Sequence, residues 1–151
     1  MLEVALLSRP LEPALECLVL QDADGDCGGI VSFTGVVRSG ESGTIEALVL
    51  EAYRTVTIRS LEAIGRDALD LLGARRAVIK HRVGRIAAGE PIVFVAAAAR
   101  HRRAAFDTVD YIMDRLKTEA VFWKKEVAAD GEAWIEPRQS DYADVLRWSS
   151  R

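Results

Sequence analysis

An α+β fold with a mostly antiparallel sheet is the class this sequence predicts. Its strand-like segments come in hairpin-like pairs, and two long segments of helical period punctuate them. That order suits strands that pair with chain neighbours better than the regular alternation of a doubly wound parallel sheet. No GxGxxG or P-loop spacing occurs either, so nothing suggests a nucleotide cradle.

VALLS, near the start, reads as a short strand, and Pro10 to Leu20 as a short helix with a proline in its first turn. QDADGDCGG is a polar, glycine-bearing loop. GIVSFTGVV is β-branched and aromatic, hence a strand, and Gly35 inside it marks a bulge or the close approach of another group. RSGESGT is a loop, and IEALVLEAY returns as a strand, which predicts a hairpin with a flexible tip. From Thr57 to Leu72, apolar Ile58, Leu61, Ile64, Ala68, Leu69 and Leu72 keep a helical period, with Gly73 as C-cap. RRAVIKHRVG is a strand, AAGE a turn, and PIVFVAAAA a largely buried strand. His101 to Thr118 is the second long helix. Val121 to Val127 and Ala133 to Ile135 form a last hairpin around ADGE, and Asp141 to Trp148 a short terminal helix. With no repeat and no Pro/Gly/Ser linker, the 151 residues predict a single domain, long enough to bury a core unaided.

Half the residues are hydrophobic and 28% charged, the balance of a soluble globular protein. A net charge of −3 removes the chain-wide basic field that nonspecific nucleic-acid binding needs, while leaving room for a local basic pocket. Cys17 and Cys27 are the only cysteines and keep no metal-ligand spacing, so neither zinc nor a disulfide framework is indicated. Glu3 stands where a secretory signal would be basic, Arg9-Pro10 interrupts the apolar run, and PIVFVAAAA is too short to span a bilayer. A soluble, cytoplasmic protein is the expectation.

The chain carries sixteen Arg and four Lys, and three of the lysines fall within LKTEAVFWKKE, from 116 to 126. Lysine is a compact charge whose pKa falls on burial, which arginine's does not, so these lysines are either a pair suited to proton chemistry or simply the solvated end of a helix. On the second long helix, Ala105, Val109, Ile112, Met113 and Leu116 form the apolar stripe, and Lys117 falls at its edge beside Phe106 and Asp110. Such a lysine either snorkels its head into water or sits partly desolvated in a site. In the next strand Phe122, Lys124 and Glu126 share one face, and Val121, Trp123, Lys125 and Val127 the other. If the Trp123 face packs inward, Lys124 lies on the opposite side, where it either turns toward Lys117 across the helix–strand junction or stands as an ordinary solvated charge on an exposed hairpin.

The same helix opens RHRRAAF, cations where the helix dipole prefers anions. Either an external phosphate or carboxylate completes that terminus, or the arginines fan into solvent and pair with acids elsewhere. Arg38, at the mouth of the loop after the glycine-bearing strand, is a further anion contact. His81, inside a strand, reads as a packed histidine. GxSxG, HExxH and paired-carboxylate signatures are all absent, which leaves hydrolase and metalloenzyme readings unsupported.

GGIVSFTGVVR, HRVGRIAAGEPIVFVAAAARHRRAAFDTVDYIMDRLKTEAVFWKKE and WIEPRQSD, in this order and spacing, resemble the catalytic (large) subunit of molybdopterin synthase from about residue 28 to 148. The resemblance implies an α/β-hammerhead fold and a homodimeric core with a small ubiquitin-like sulfur-carrier subunit at each end, a heterotetramer. It implies that the carrier's C-terminal Gly-Gly thiocarboxylate gives sulfur, twice, to cyclic pyranopterin monophosphate to form the molybdopterin dithiolene. No metal, nucleotide or other cofactor is implied for that step. Carried over by position, Lys117 and Lys124 match pocket lysines, Lys117 being the main catalytic candidate. Arg38, His101 and Arg102 match residues of the substrate and anion region, Arg138 matches an arginine supplied by the neighbouring protomer, and Phe33 and Met113 match apolar pocket walls.

The chain departs from the family in three places. YRTVT at 53–57 replaces a Tyr-Pro-Gly-Met-like segment, Val121 replaces a proline, and the loop after Arg38 lacks the usual asparagine. Losing the proline predicts a less rigid link between Lys117 and Lys124. A noncatalytic module that holds a carrier protein or a phosphorylated metabolite is the competing reading, and Lys117→Arg separates the two.

Overall fold

The computed structural model describes residues 1–20, 25–40 and 43–149. Two four-stranded sheets carry the chain. The first has the order β1 (Leu2–Leu7), β4 (Arg76–Arg82), β6 (Pro91–Ala99), β2 (Gly29–Val36), with β1 parallel to β4 and the remaining pairs antiparallel. The second is antiparallel throughout, in the order β5 (Gly84–Ala87), β3 (Ile45–Glu51), β7 (Trp123–Ala128), β8 (Gly131–Ile135). This is the expected α+β class with a mostly antiparallel sheet and two long helices.

The long helices α2 (Arg54–Leu72) and α3 (Arg102–Thr118) cover one face of the first sheet. Leu61, Ile64 and Ala68 of α2 and Ala105, Val109, Ile112 and Leu116 of α3 bury against Ile79, Val95 and Ala97. The opposite face is covered by α1 (Pro13–Glu16) and the 3₁₀ turn Cys17–Leu20 over Val78, Phe94, Ala96 and Ala98. With both faces covered, β6 must be apolar at every position, and its run of small residues lets both layers approach closely. The helix begun by a proline therefore uses Pro13 rather than Pro10, and it gives way to a 3₁₀ turn after one α turn.

Two strand assignments change. Strands β2 and β3 do not form a hairpin: β2 pairs with β6, and β3 crosses to the second sheet. Strand β2 lies at the sheet edge against buried β6, with Val31, Thr34 and Gly35 half-buried and Ile30, Phe33 and Val36 exposed. Of the connecting loop, residues 41–42 lie outside the described residues, as do 21–24 of the earlier polar loop. RRAVIKHRVG is not one strand but breaks at Val83, and Gly84, at φ +88°, redirects the chain into the second sheet. Gly35 fulfils both parts of its expectation. The register shifts beside it, and a Cβ there would lie 2.5 Å from Val93 Cγ1.

The buried Lys80 of β4 ties β1 and α1 together through Glu3, at 2.7 Å, and Glu16. Burial pulls its pKa down, but the two carboxylates more than offset this and hold it above the usual value. Lys80 thus has a structural role.

Candidate functional site

Strand β7, the end of α3 and the segment leading into α4 (Gln139–Leu146) enclose a cavity of about 640 Å³. Lys117, Lys124, Arg38 and Arg138 all line it, along with Glu126, Glu136, Asp141 and Tyr142, over an apolar floor that includes Leu48 and Phe122. Cations from four separate elements converge here, and that is the arrangement an anion requires. Arg38 also lines an adjoining open hollow with Ser39, Gly40 and Gly89.

The face alternation of β7 is as read from sequence, but its sense is reversed. Phe122 packs against the core, while Trp123 stays 42% exposed against Tyr53, ring centroids 5.1 Å apart. Lys124 is consequently on the inward face, with its ammonium 5.9 Å from the Phe122 ring centroid. Lys125, on the outer face, lies 3.7 Å from Glu51 and 3.6 Å from Glu132, over the Trp134 ring at 4.5 Å.

The two cavity lysines differ. The Lys117 side chain is 56% exposed and has one carboxylate partner, Asp141 Oδ1, at 3.4 Å. Lys124 is the lysine that burial depresses, helped by the neighbouring Lys117 charge and opposed by Asp141, so its pKa is below the ordinary lysine value. The partly desolvated lysine expected at 117 is therefore found at 124.

His81 supports this floor from β4. It is buried, stacks on Phe122 at 4.3 Å, and its Nδ1 lies 2.9 Å from the Arg82 carbonyl. A carbonyl only accepts, so Nδ1 donates and carries the proton. Burial, aided by the Lys124 charge and opposed by that hydrogen bond, pushes its pKa down to about 4. The unfolded chain takes up this proton near pH 6.5 and the folded chain only near 4, so acidification across that window favours unfolding. The full loss is roughly 3 kcal/mol. Denaturant titrations at pH 7 and pH 4.5 are expected to show this, with a smaller drop in His81→Asn, which keeps a donor but does not titrate.

The link between the lysines is held from both sides. The buried Thr57 hydroxyl donates to the Val121 carbonyl at 2.7 Å, and the Val121 N–H donates to Ser60 Oγ at 3.4 Å. Valine supplies a donor that proline lacks, so α2 clamps a connector expected to be loose.

The remaining sequence candidates lie elsewhere. His101 and Arg102 are exposed at the start of α3. Fifteen residues at the helical rise separate Arg102 from Lys117 by roughly 22 Å. Phe33 is 42% exposed on the edge strand β2, and Met113 packs against the main core. Within one chain, Phe33, His101, Arg102 and Met113 do not line the cavity. Arg138, expected from a neighbouring protomer, lines the cavity of its own chain.

Sequence reasoning missed Asp141. Its signal was an acid at the third position of the terminal helix, three residues after Arg138, where it caps the helix: Arg138 N–H donates to Asp141 Oδ2 at 2.8 Å. The helix is docked by Asp114, which accepts from Arg147 Nη2 at 2.6 Å and from Trp148 Nε1 at 2.7 Å. Among the described residues, no group of His, Cys, Asp or Glu could hold a metal ion, and no helix is long and apolar enough to cross a membrane.

Comparison with known proteins decides the family. The sequence profile of the MoaE protein family matches residues 8–119. The chain belongs to the MoaE family. A relative from Caulobacter vibrioides, a molybdopterin synthase catalytic subunit, is 43% identical over 145 residues, 96% of each chain. Among solved structures, the molybdopterin biosynthesis MoaE protein of Burkholderia ambifaria superposes with a TM-score of 0.84 at 36% identity, covering 99% of both chains. Molybdopterin synthase of Staphylococcus aureus gives 0.79 at 27% identity, over 86% of this chain and 94% of that one. With MoaE membership comes the role these relatives' names state, that of the enzyme's catalytic subunit in molybdenum cofactor biosynthesis.

Proposed function

We propose that this chain catalyses sulfur transfer. The thiocarboxylate at the Gly-Gly end of a small carrier subunit enters the cavity and meets cyclic pyranopterin monophosphate. Each of two transfers forms a carbon–sulfur bond on the pterin side chain as a carbon–oxygen bond of the same carbon breaks, the oxygen leaving once as a phosphate oxygen when the cyclic phosphate opens and once as water. Water then breaks the carrier's acyl–sulfur bond and leaves a carboxylate. The observation that carries this reading is the convergence of Arg38, Lys117, Lys124 and Arg138 on one cavity. Both reactants are anions, and fixed cations already in place stabilise the charge that develops without reorganising. Lys124, its pKa lowered by burial and by the Lys117 charge, is the proton carrier, and Lys117, facing solvent beside Asp141, is the partner for the anionic sulfur.

On this reading a second copy of the chain supplies Phe33, His101 and Arg102, exposed residues that the cavity's own chain keeps away from it. The working unit is a homodimer with one carrier at each end, in the cytoplasm. Mixing inactive Lys117→Ala and Arg102→Ala proteins tests this. Random reassortment puts one intact site in each mixed dimer, so about a quarter of wild-type activity is expected. No recovery after proven subunit exchange would confine the site to a single chain.

A further inference from the structure

Asp141 is the unexpected member of the cavity. An acid in a pocket for anions weakens the field that binds them, so its presence needs a reason. It is placed with more definition than a surface carboxylate: its side chain is 12% exposed and its two oxygens are separately engaged. Oδ2 accepts the Arg138 N–H at 2.8 Å, and Oδ1 faces Lys117 Nζ at 3.4 Å. Arg138 is thereby fixed at the cavity rim by the same carboxylate that holds Lys117. The helix behind it is pinned to α3 through Asp114, Asp110 and Arg147, the last two 2.8 Å apart.

From this geometry we propose that Asp141 is a positioning residue for the reaction, holding the Lys117 ammonium beside Lys124 and setting the charge of the lysine pair. The inference rests on the sulfur-transfer reading of the cavity. An ion pair this exposed on the lysine side adds little to stability, so its value lies in where it places Lys117. Without it, two ammonium groups would face each other with Arg38 and Arg138 nearby. Repulsion would drive Lys117 outward and favour loss of the Lys124 proton. Lys124 also faces Glu126 from its own strand, Glu136 from the segment before α4, and His81 beneath Phe122. Of these acids, Asp141 is the one that contacts Lys117.

Asp141→Asn tests the proposal, because asparagine still accepts the Arg138 N–H and preserves the cap. The first readout needs neither carrier nor pterin: NMR titration of the lysine side chains in the purified protein. Lys124 is expected to titrate at lower pH in Asp141→Asn than in wild type, and Asp141→Glu, which keeps the charge, to return it toward wild type. The second readout is turnover across pH. The limb set by Lys124 is expected to move to lower pH, with kcat at pH 7 reduced on the order of tenfold and KM for the pterin unchanged or lower. If Lys124 titrates identically in wild type and Asp141→Asn, the positioning role is wrong, whatever the turnover. If Lys124 shifts but wild-type protein makes no dithiolene, the sulfur-transfer reading fails while the electrostatic coupling stands.

Discussion

Lys124→Met is expected to abolish turnover and, at neutral pH, to raise the melting temperature. Methionine keeps the unbranched stem against Phe122 and removes the buried charge. Removing a positioned acid or base lowers the rate by about 100- to 10,000-fold. The stability gain follows from the depressed pKa. The unfolded chain holds this proton up to the ordinary lysine value and the folded chain releases it sooner. Below the folded pKa, wild type therefore bears the full cost of burying the ammonium, and that cost is relieved as pH rises toward the unfolded value. The gap in melting temperature between variant and wild type should accordingly be largest at neutral pH and close at high pH. Thermal melts across pH, with turnover assayed alongside, check both halves. Wild-type turnover, or a lower melting temperature at pH 7, would show that Lys124 is not the strained proton carrier described here. Residues that destabilise a fold while serving its chemistry are expected at active sites.

Lys117→Arg is expected to cost at least about 100-fold in turnover although it keeps the charge. Arginine's broad planar head does not fit where a compact ammonium meets Asp141 on one side and an incoming sulfur on the other, so the charge is no longer placed at the reacting sulfur. Carrier binding and thermal stability should stay close to wild type, since Lys117 is exposed on its solvent side. Lys117→Ala should be as inactive. Single-turnover kinetics together with carrier affinity provide the check. A fully active Lys117→Arg would show that a compact, positioned ammonium at 117 is not needed and would favour a binding module over a catalyst.

How legible this was in the sequence depends on the range of the interaction concerned. The apolar stripes of α2 and α3, the Gly73 cap at φ +71° and the two-sided pattern of β7 depend on neighbours within a turn or a pleat, and each was read from spacing. The hairpin expected of β2 and β3 failed because strand pairing is set between segments distant in the chain, here β2 with β6 and β3 with β5 and β7, which neighbouring residues do not encode. Burial was assigned to the wrong lysine for a similar reason: helical position put Lys117 at the stripe's edge, but Phe122 packing turned Lys124 inward. Even the family signature mixes roles. In HRVG…GE, the buried Arg82 donates to Glu90 at 3.1 Å and to the Pro91 carbonyl at 3.0 Å and so ties the end of β4 to the start of β6, whereas His81 stacks on the cavity residue Phe122. Asp141 was invisible as a site residue because nothing local distinguishes a helix-capping acid from one that also reaches a lysine 24 positions earlier.

The most direct test is conversion itself. Purified protein, a carrier with a chemically prepared C-terminal thiocarboxylate and cyclic pyranopterin monophosphate are combined without added metal or nucleotide, and dithiolene is quantified against thiocarboxylate consumed. The expected result is two thiocarboxylates spent per dithiolene formed. Tight binding of carrier and pterin with no thiocarboxylate consumed would contradict it.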